Sequence, residues 1–390
     1  MHAVLATYGT TGDIQPLLAL AIELTRRGHT TKFAAPPEFA GRVKTLGLDY
    51  VALGPAIDPR ELREVYGRAC LSEDAVEQVR RTLALTIRHS PQMVEELGDA
   101  CAGADVLVSL PYQLAGRIVH ELQQIPFVSV HLSPFGGYSR RFAAETSRLI
   151  NELRACYGLN GLKDALGMDG SSSMLALHAV SPQLFFRPRH WPEHHRMTGF
   201  FFLDQQWAPE PDIERFVNDG EPPIVISFGS VLHESPELVS EILLEAISRL
   251  GKRTVVQRGW TGLRFRALPD HVHLVDFVPH NWLFPRAACV IHAGGAGTTA
   301  ATLRAVVPSV VVPHVLDQIL WATLLKERSC ASDVIPYVQL TAERLASAVE
   351  RSFSSCYRRA ATEFSTRLSR ESGASRAVDL IESSVQARNS

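Results

Sequence analysis

The chain has 390 residues, a formal net charge of -2 from 39 basic and 41 acidic side chains, and 46% hydrophobic and 21% charged residues. Such a length exceeds one ordinary domain and suggests two of similar size, and the apolar content excludes a disordered chain. Interspersed charges of both signs argue against a nucleic-acid partner, and no run approaches the roughly 18 apolar residues of a membrane span.

Short β-branched runs alternate with longer amphipathic ones, the pattern of parallel sheets covered by helices on both faces. Met1 and His2 lead into a first strand near 3–7 with no basic leader before it, so a cytoplasmic protein is expected. Further strands fall near 32–35, 50–53, 106–110 and 127–132, with a helix over 16–27. Between the first strand and that helix stand Thr10, Thr11, Gly12 and Asp13. Asp13 is placed to cap the helix, worth about 1 kcal/mol, or to act as a base at its mouth. His131, in VHLSP, ends a strand and is a candidate for an acceptor pocket. Residues 134–178, with charged stretches, glycines and Ser171-Ser172-Ser173, read as an insertion at the domain mouth rather than part of the sheet. RHWPEHH at 189–195 reads as a solvated loop, and MTGFFFLD at 197–204 as a buried strand. The polar, proline-containing run that follows suggests a linker over 205–218 between domains 1–204 and 219–390, the last helix packing back on the first domain.

The second half repeats the pattern, with strands near 224–228, 254–258, 272–277, 289–292 and 309–313. Its densest segment is CVIHAGGAGTTAATLRAVVPSVVVPHVLDQ at 289–318. A tight turn over 292–297 precedes a helix expected over 298–305, whose unpaired N–H groups form an anion site worth about 0.3–1 kcal/mol, and about 2 when partly buried. His292 can add a hydrogen bond to a diphosphate there, and Asp317 with Gln318 can reach hydroxyls beyond it. Gly295, Gly297 and Ala300 also satisfy G-x-G-x-x-A, with Asp317 near the distance of a ribose-binding acid, which leaves an NAD-dependent oxidoreductase open. Ligands of open α/β sheets bind beyond the carboxyl ends of strands, so two facing domains would share an interdomain cleft. The six cysteines contain no C-x-x-C pair and read as reduced thiols, and no ligand spacing calls for a metal.

HAGGAGTTAATLRA followed by VVVPHVLDQ resembles the donor motif of the family 1 inverting nucleotide-sugar glycosyltransferases of GT-B fold, with bacterial antibiotic and sterol glycosyltransferases as the nearest likenesses. AVLATYGTTGDIQ at the start, MTGFFFLD and ISFGS also fit, so the resemblance spans most of the chain outside the acceptor region. It implies two Rossmann-like domains and an enzyme of natural-product biosynthesis that moves a hexose to a small lipophilic hydroxylated acceptor. It makes Asp13 the general base, with Thr10 assisting. Ser230, His292, Gly294, Gly295, Gly297 and Thr298 would hold the diphosphate, Asp317 and Gln318 the sugar, and Val278 and His280 of DFVPHNWLF the nucleobase. No cofactor is implied beyond the nucleotide-sugar co-substrate. UDP-glucose is favoured, yet Ala300 stands where plant members carry a ribose-gripping glutamate and Phe277 where they carry tryptophan, so a dTDP-sugar fits as well. A GT-B-fold UDP-sugar epimerase is the alternative within the same fold.

Overall fold

The computed structural model describes residues 1–134, 139–204 and 206–389. Residues 135–138 of the expected insertion, Gln205 at the start of the expected linker and Ser390 lie outside the described residues. The chain forms two compact units. The first comprises Met1–Pro59, Asp74–Leu203 and Glu371–Ser390, the second Arg60–Glu73 and Asp204–Arg370. No helix among the described residues is long and apolar enough to cross a membrane.

The first unit is built on seven strands: β1 (His2–Ala6), β2 (Thr30–Ala35), β3 (Asp49–Ala52), β4 (Val106–Ser109), β5 (Phe127–His131), β6 (Leu175–His178) and β7 (His195–Met197). They pair in parallel in the order β3-β2-β1-β4-β5-β6-β7. Helix Thr11–Arg26 covers the sheet with Ile14, Leu17, Leu18, Ala21 and Leu24, the spacing that lines up one helix face. Its start precedes the expected residue 16 because Asp13 reaches back to the N–H of Thr10 and fixes the first turn earlier.

The second unit carries β8 (Ile224–Ser227), β9 (Thr254–Gln257), β10 (Val272–Val275), β11 (Cys289–His292), β12 (Ser309–Val311) and β13 (Ala331–Val334). Their order is β10-β9-β8-β11-β12-β13, again all parallel. Successive side chains of β8 alternate between two cores. Ile224 and Ile226 join Leu243 and Val256 on one face, and Val225 joins Val255 and Val290 on the other. Burial on both faces explains why these strands are continuous apolar runs.

The two sheets share one topology. Growth from β1 runs outward to β3, then restarts beside β1 with β4; growth from β8 runs outward to β10, then restarts beside β8 with β11. Loops leaving the two central strands diverge at such a switch point and open a crevice at their carboxyl ends. In the second unit the paired strand ends there are Ser227 and His292.

Three expectations are corrected. MTGFFFLD is not a strand: β7 stops at Met197, because Gly199 takes φ +98° and its carbonyl, with that of Phe200, abuts Gly373. RHWPEHH is a solvated loop only in part: Arg189, His190 and Glu193 are exposed, but Trp191 and His195 are buried, His195 opens β7, and the His178 ring stacks on Trp191 at 4.1 Å. Within 134–178, Leu175–His178 is a full member of the sheet. The serine triplet that made this segment look like a loop stitches it to β5: Ser172 N–H donates to Ser129 Oγ, and Ser172 Oγ donates to the Phe127 carbonyl.

Candidate donor and acceptor sites

In the first unit, β1 delivers Thr7, Tyr8, Gly9 and Thr10 into the switch-point loop. Asp13, half-buried in the first turn of the helix, accepts at Oδ2 from the Thr10 N–H (2.8 Å) and the Thr10 hydroxyl (3.3 Å). The two sequence candidates for the chemistry are therefore in contact. Gly9 has φ +148°, and a Cβ there would lie 2.4 Å from Asp13 Oδ2, so only glycine leaves room for the carboxylate. Beside it, the Tyr8 hydroxyl meets His89 Nδ1 at 3.1 Å. No local signal marks this pair, because only the tertiary structure brings residue 89 to residue 8.

His131 is only 4% exposed. Its Nε2 lies 3.2 Å from both Ser129 Oγ and Ser171 Oγ, and its ring stacks on His178 at 4.8 Å. Burial, with His195 nearby, pushes its pKa down to about 3. It is a neutral imidazole inside the end of the sheet.

In the second unit, helix Ala296–Arg304 begins two residues earlier than expected, with Gly295 as its N-cap and no side chain capping it. Glycine offers no oxygen to the first-turn N–H groups, which leaves them available to a ligand. Gly297 is exposed with open space beside it, and Thr298 is half-buried. Gly294 has φ +86°, and a Cβ on it would sit 2.9 Å from the Gln318 carbonyl, so its smallness lets the β11 and β12 loops touch.

His292 is fully buried, and its Nδ1 accepts the Gly294 N–H at 3.1 Å. Burial and the neighbouring His280 push its pKa down to about 3. A neutral ring that accepts at Nδ1 carries its proton on Nε2. That Nε2 is buried and has no hydrogen-bond partner among the described residues, and the same holds for Ser227 Oγ, opposite it in the sheet, and Thr299 Oγ1. Buried polar groups are normally paired, so three unpaired ones on the strand ends and first turn of one loop system demand an explanation. Ser227 and Thr299 were not singled out from the sequence, although each adjoins a candidate motif.

The remaining candidates surround this loop system. Ser230 is half-buried after Gly229 (φ +64°), whose carbonyl accepts the Trp260 N–H at 3.0 Å and packs on Gly259. Gln318 Oε1 accepts the N–H groups of His314 (2.9 Å) and Val315 (3.2 Å), which folds the turn before Asp317; Asp317 itself opens helix Asp317–Glu327, half-buried. Val278 is buried, and its N–H donates to Gln257 Oε1 at 3.2 Å, so that N–H is already engaged. His280 stacks on Phe284 at 4.2 Å, and burial pushes its pKa down to about 4.

Two sheets of identical switch-point topology, each with its loop system at the carboxyl ends, define a two-unit α/β protein of GT-B architecture. Residues 3–136 match the glycosyltransferase family 28 N-terminal domain, and residues 241–379 match the erythromycin biosynthesis protein CIII-like C-terminal domain. The O-mycaminosyltylonolide 6-deoxyallosyltransferase of Streptomyces fradiae is 30% identical over 385 residues, covering 90% of this chain and 89% of that one. A sterol 3-beta-glucosyltransferase of Arabidopsis thaliana is 30% identical over 384 residues, covering 90% of this chain. The chain spans 60% of the length of that enzyme and 66% of a second from the same plant. Among solved structures, the Streptomyces sp. SF2575 glycosyltransferase SsfS6 aligns with TM-score 0.71 at 19% identity over 98% of this chain and 99% of that one. VinC in complex with dTDP aligns with TM-score 0.73 at 18% identity, over 99% and 100%. The chain belongs to the GT-B glycosyltransferase family that includes these antibiotic and sterol glycosyltransferases.

Proposed function

We propose that the protein transfers a hexose from a nucleoside diphosphate sugar to a hydroxyl of a small lipophilic acceptor, with inversion and without a metal. UDP-glucose is the favoured donor and a dTDP-sugar the second. The observation that carries this reading is His292: a buried, neutral imidazole whose Nε2–H lacks an acceptor, beside a helix start that no side chain caps. A diphosphate oxygen would accept from that Nε2–H while the first-turn N–H groups of Ala296–Arg304 donate to its other oxygens. The names of the relatives support a sugar donor, since those proteins are called deoxyallosyl- and glucosyltransferases and two matched structures hold thymidine diphosphate.

In the transfer, the acceptor oxygen attacks the anomeric carbon from the face opposite the diphosphate. The bond from that carbon to the diphosphate oxygen breaks, its electron pair leaves with the nucleoside diphosphate, and the acceptor proton passes to Asp13. General-base help of this kind contributes roughly 10²–10⁴-fold. Asp13 suits it because Thr10 holds one carboxylate oxygen in place and Gly9 leaves it room. Charge that grows on the leaving diphosphate meets donors already fixed by β11 and the helix start, so little reorganisation is needed as the bond breaks.

Calorimetric titration of the purified protein with UDP, dTDP and NAD, with chelator present, tests the donor class. Preferential binding of UDP or dTDP is expected. Binding of NAD alone would overturn the proposal in favour of an oxidoreductase.

A further inference from the structure

Helix Pro59–Cys70 comes from the first half of the sequence, yet residues Arg60–Glu73 group with the second unit. Its C-terminal end is apolar and packed: Ala69 and Cys70 form a buried cluster with Val315, and Val231, Leu316 and Tyr337 pack against it. Gly67 lies so close to the β8 loop that a Cβ would sit 3.0 Å from the backbone N and Cα of Glu234. The residues this helix touches are the neighbours of candidate donor contacts. Val231 follows Ser230, and Leu316 precedes Asp317 and Gln318.

Leu316 is itself strained. It takes φ +48° and ψ -122°, a left-handed conformation that leucine avoids, and it is the N-cap of helix Asp317–Glu327 without a side-chain cap of its own. Strain of this kind persists only where surroundings over-determine the backbone, and it concentrates at functional sites. Two restraints act on this turn. From one side Gln318 Oε1 gathers the His314 and Val315 N–H groups, and from the other the apolar end of Pro59–Cys70 covers Val315 and Leu316. The turn in turn sets the Gln318 carbonyl against Gly294 of the diphosphate loop.

We propose that helix Pro59–Cys70 clamps the Leu316 turn and thereby orients Asp317 and Gln318 toward the sugar of the donor, with Leu316 and Gly67 as positioning residues. The inference rests on the nucleotide-sugar reading of the site. A clamp predicts that loosening the turn lowers the fraction of molecules competent to hold the sugar, while the nucleotide keeps its β11 contacts, because the His292–Gly294 hydrogen bond and the start of helix Ala296–Arg304 hold that loop by themselves even though it touches the turn at Gln318.

The test compares the affinity of the better-bound nucleotide, UDP or dTDP, with that of its glucose derivative, by calorimetry on the whole chain. Leu316→Gly accepts the left-handed backbone and removes the apolar anchor; Gly67→Ala improves helix propensity while forcing the helix away from Glu234. Both variants should bind the free nucleotide within about twofold of the parent and the nucleotide-glucose about five- to tenfold more weakly. A role confined to folding would leave that ratio alone, and Gly67→Ala would then show no defect. Unchanged ratios in both variants, or equal losses for nucleotide and nucleotide-glucose, would overturn the clamp and leave the donor reading standing. Failure of the parent to bind either nucleotide would overturn both.

Discussion

The loops after β1 and β11 adjoin the switch points of sheets with the same topology, but they are finished differently. After β1 the helix start is closed by its own residues, with Asp13 holding the Thr10 N–H and hydroxyl. After β11 the N-cap is a glycine, and His292 Nε2, Ser227 Oγ and Thr299 Oγ1 are left buried without partners among the described residues. A self-satisfied loop holds one group in a fixed pose, which suits a base. An unsatisfied loop gains hydrogen bonds only when a ligand supplies acceptors, which suits an anion site.

The largest effect is expected of Asp13→Asn, which keeps the shape of the loop and removes its charge. Turnover should fall about 10²–10⁴-fold in a product assay while UDP or dTDP affinity stays at the parent value. Turnover near normal would remove Asp13 as the base. Gly9→Ala probes the pose instead of the charge, because its Cβ would collide with Asp13 Oδ2. A loss of about ten- to a hundredfold in kcat, with nucleotide binding intact, is expected from that displacement. On the other loop the dissociation should reverse: His292→Ala should weaken nucleoside diphosphate binding about tenfold or more in calorimetry, since it deletes a donor to a charged oxygen. Equal affinity in parent and variant would mean that the orphaned Nε2–H serves something else.

Acid should expose the cost of the buried imidazoles in both units. Burial pushes the pKa values of His131, His292 and His314 to about 3, and those of His195, His233 and His280 to about 4. Below their ordinary value near 6.5 the unfolded chain takes up protons that the folded chain excludes. Stability should therefore be greatest above about pH 6.5 and fall as pH drops toward 4, because the unfolded chain binds the more protons in that window. Thermal melts at successive pH values check this, and a Tm that is flat from pH 7 to 5 would contradict it. The smallest effect is expected of Asp317→Ala, a shift of about a few-fold in the preference among donor sugars with free nucleotide affinity unchanged, read from a panel of UDP- and dTDP-hexoses.

Much of the fold was legible because parallel strands buried on both faces are written as short continuous apolar runs. Those at 224–227, 254–257 and 289–292 stand out in the sequence for that reason. β6 and β7 were not legible: β6 follows a serine triplet, and β7 is the three residues His195–Met197. Polar residues there are tied into the sheet by Ser172 on Ser129 and by His178 Nε2 against His195 Nδ1 at 3.1 Å, contacts that no local window contains.

For the candidate site, the groups that follow each strand could be read along the chain: a threonine and an aspartate after β1, a histidine and glycines after β11, an acid and an amide after β12. Spacing sufficed because strand, turn and helix start are local structures. Tertiary structure alone decided the state of those groups. It made His292 a neutral donor by burying it and setting Gly294 N–H on its Nδ1, left Ser227 and Thr299 without partners, and brought helix Pro59–Cys70 onto a strained Leu316. Protonation, hydrogen-bond satisfaction and strain depend on what surrounds a side chain in space, and those surroundings come from residues as far apart as 69 and 316.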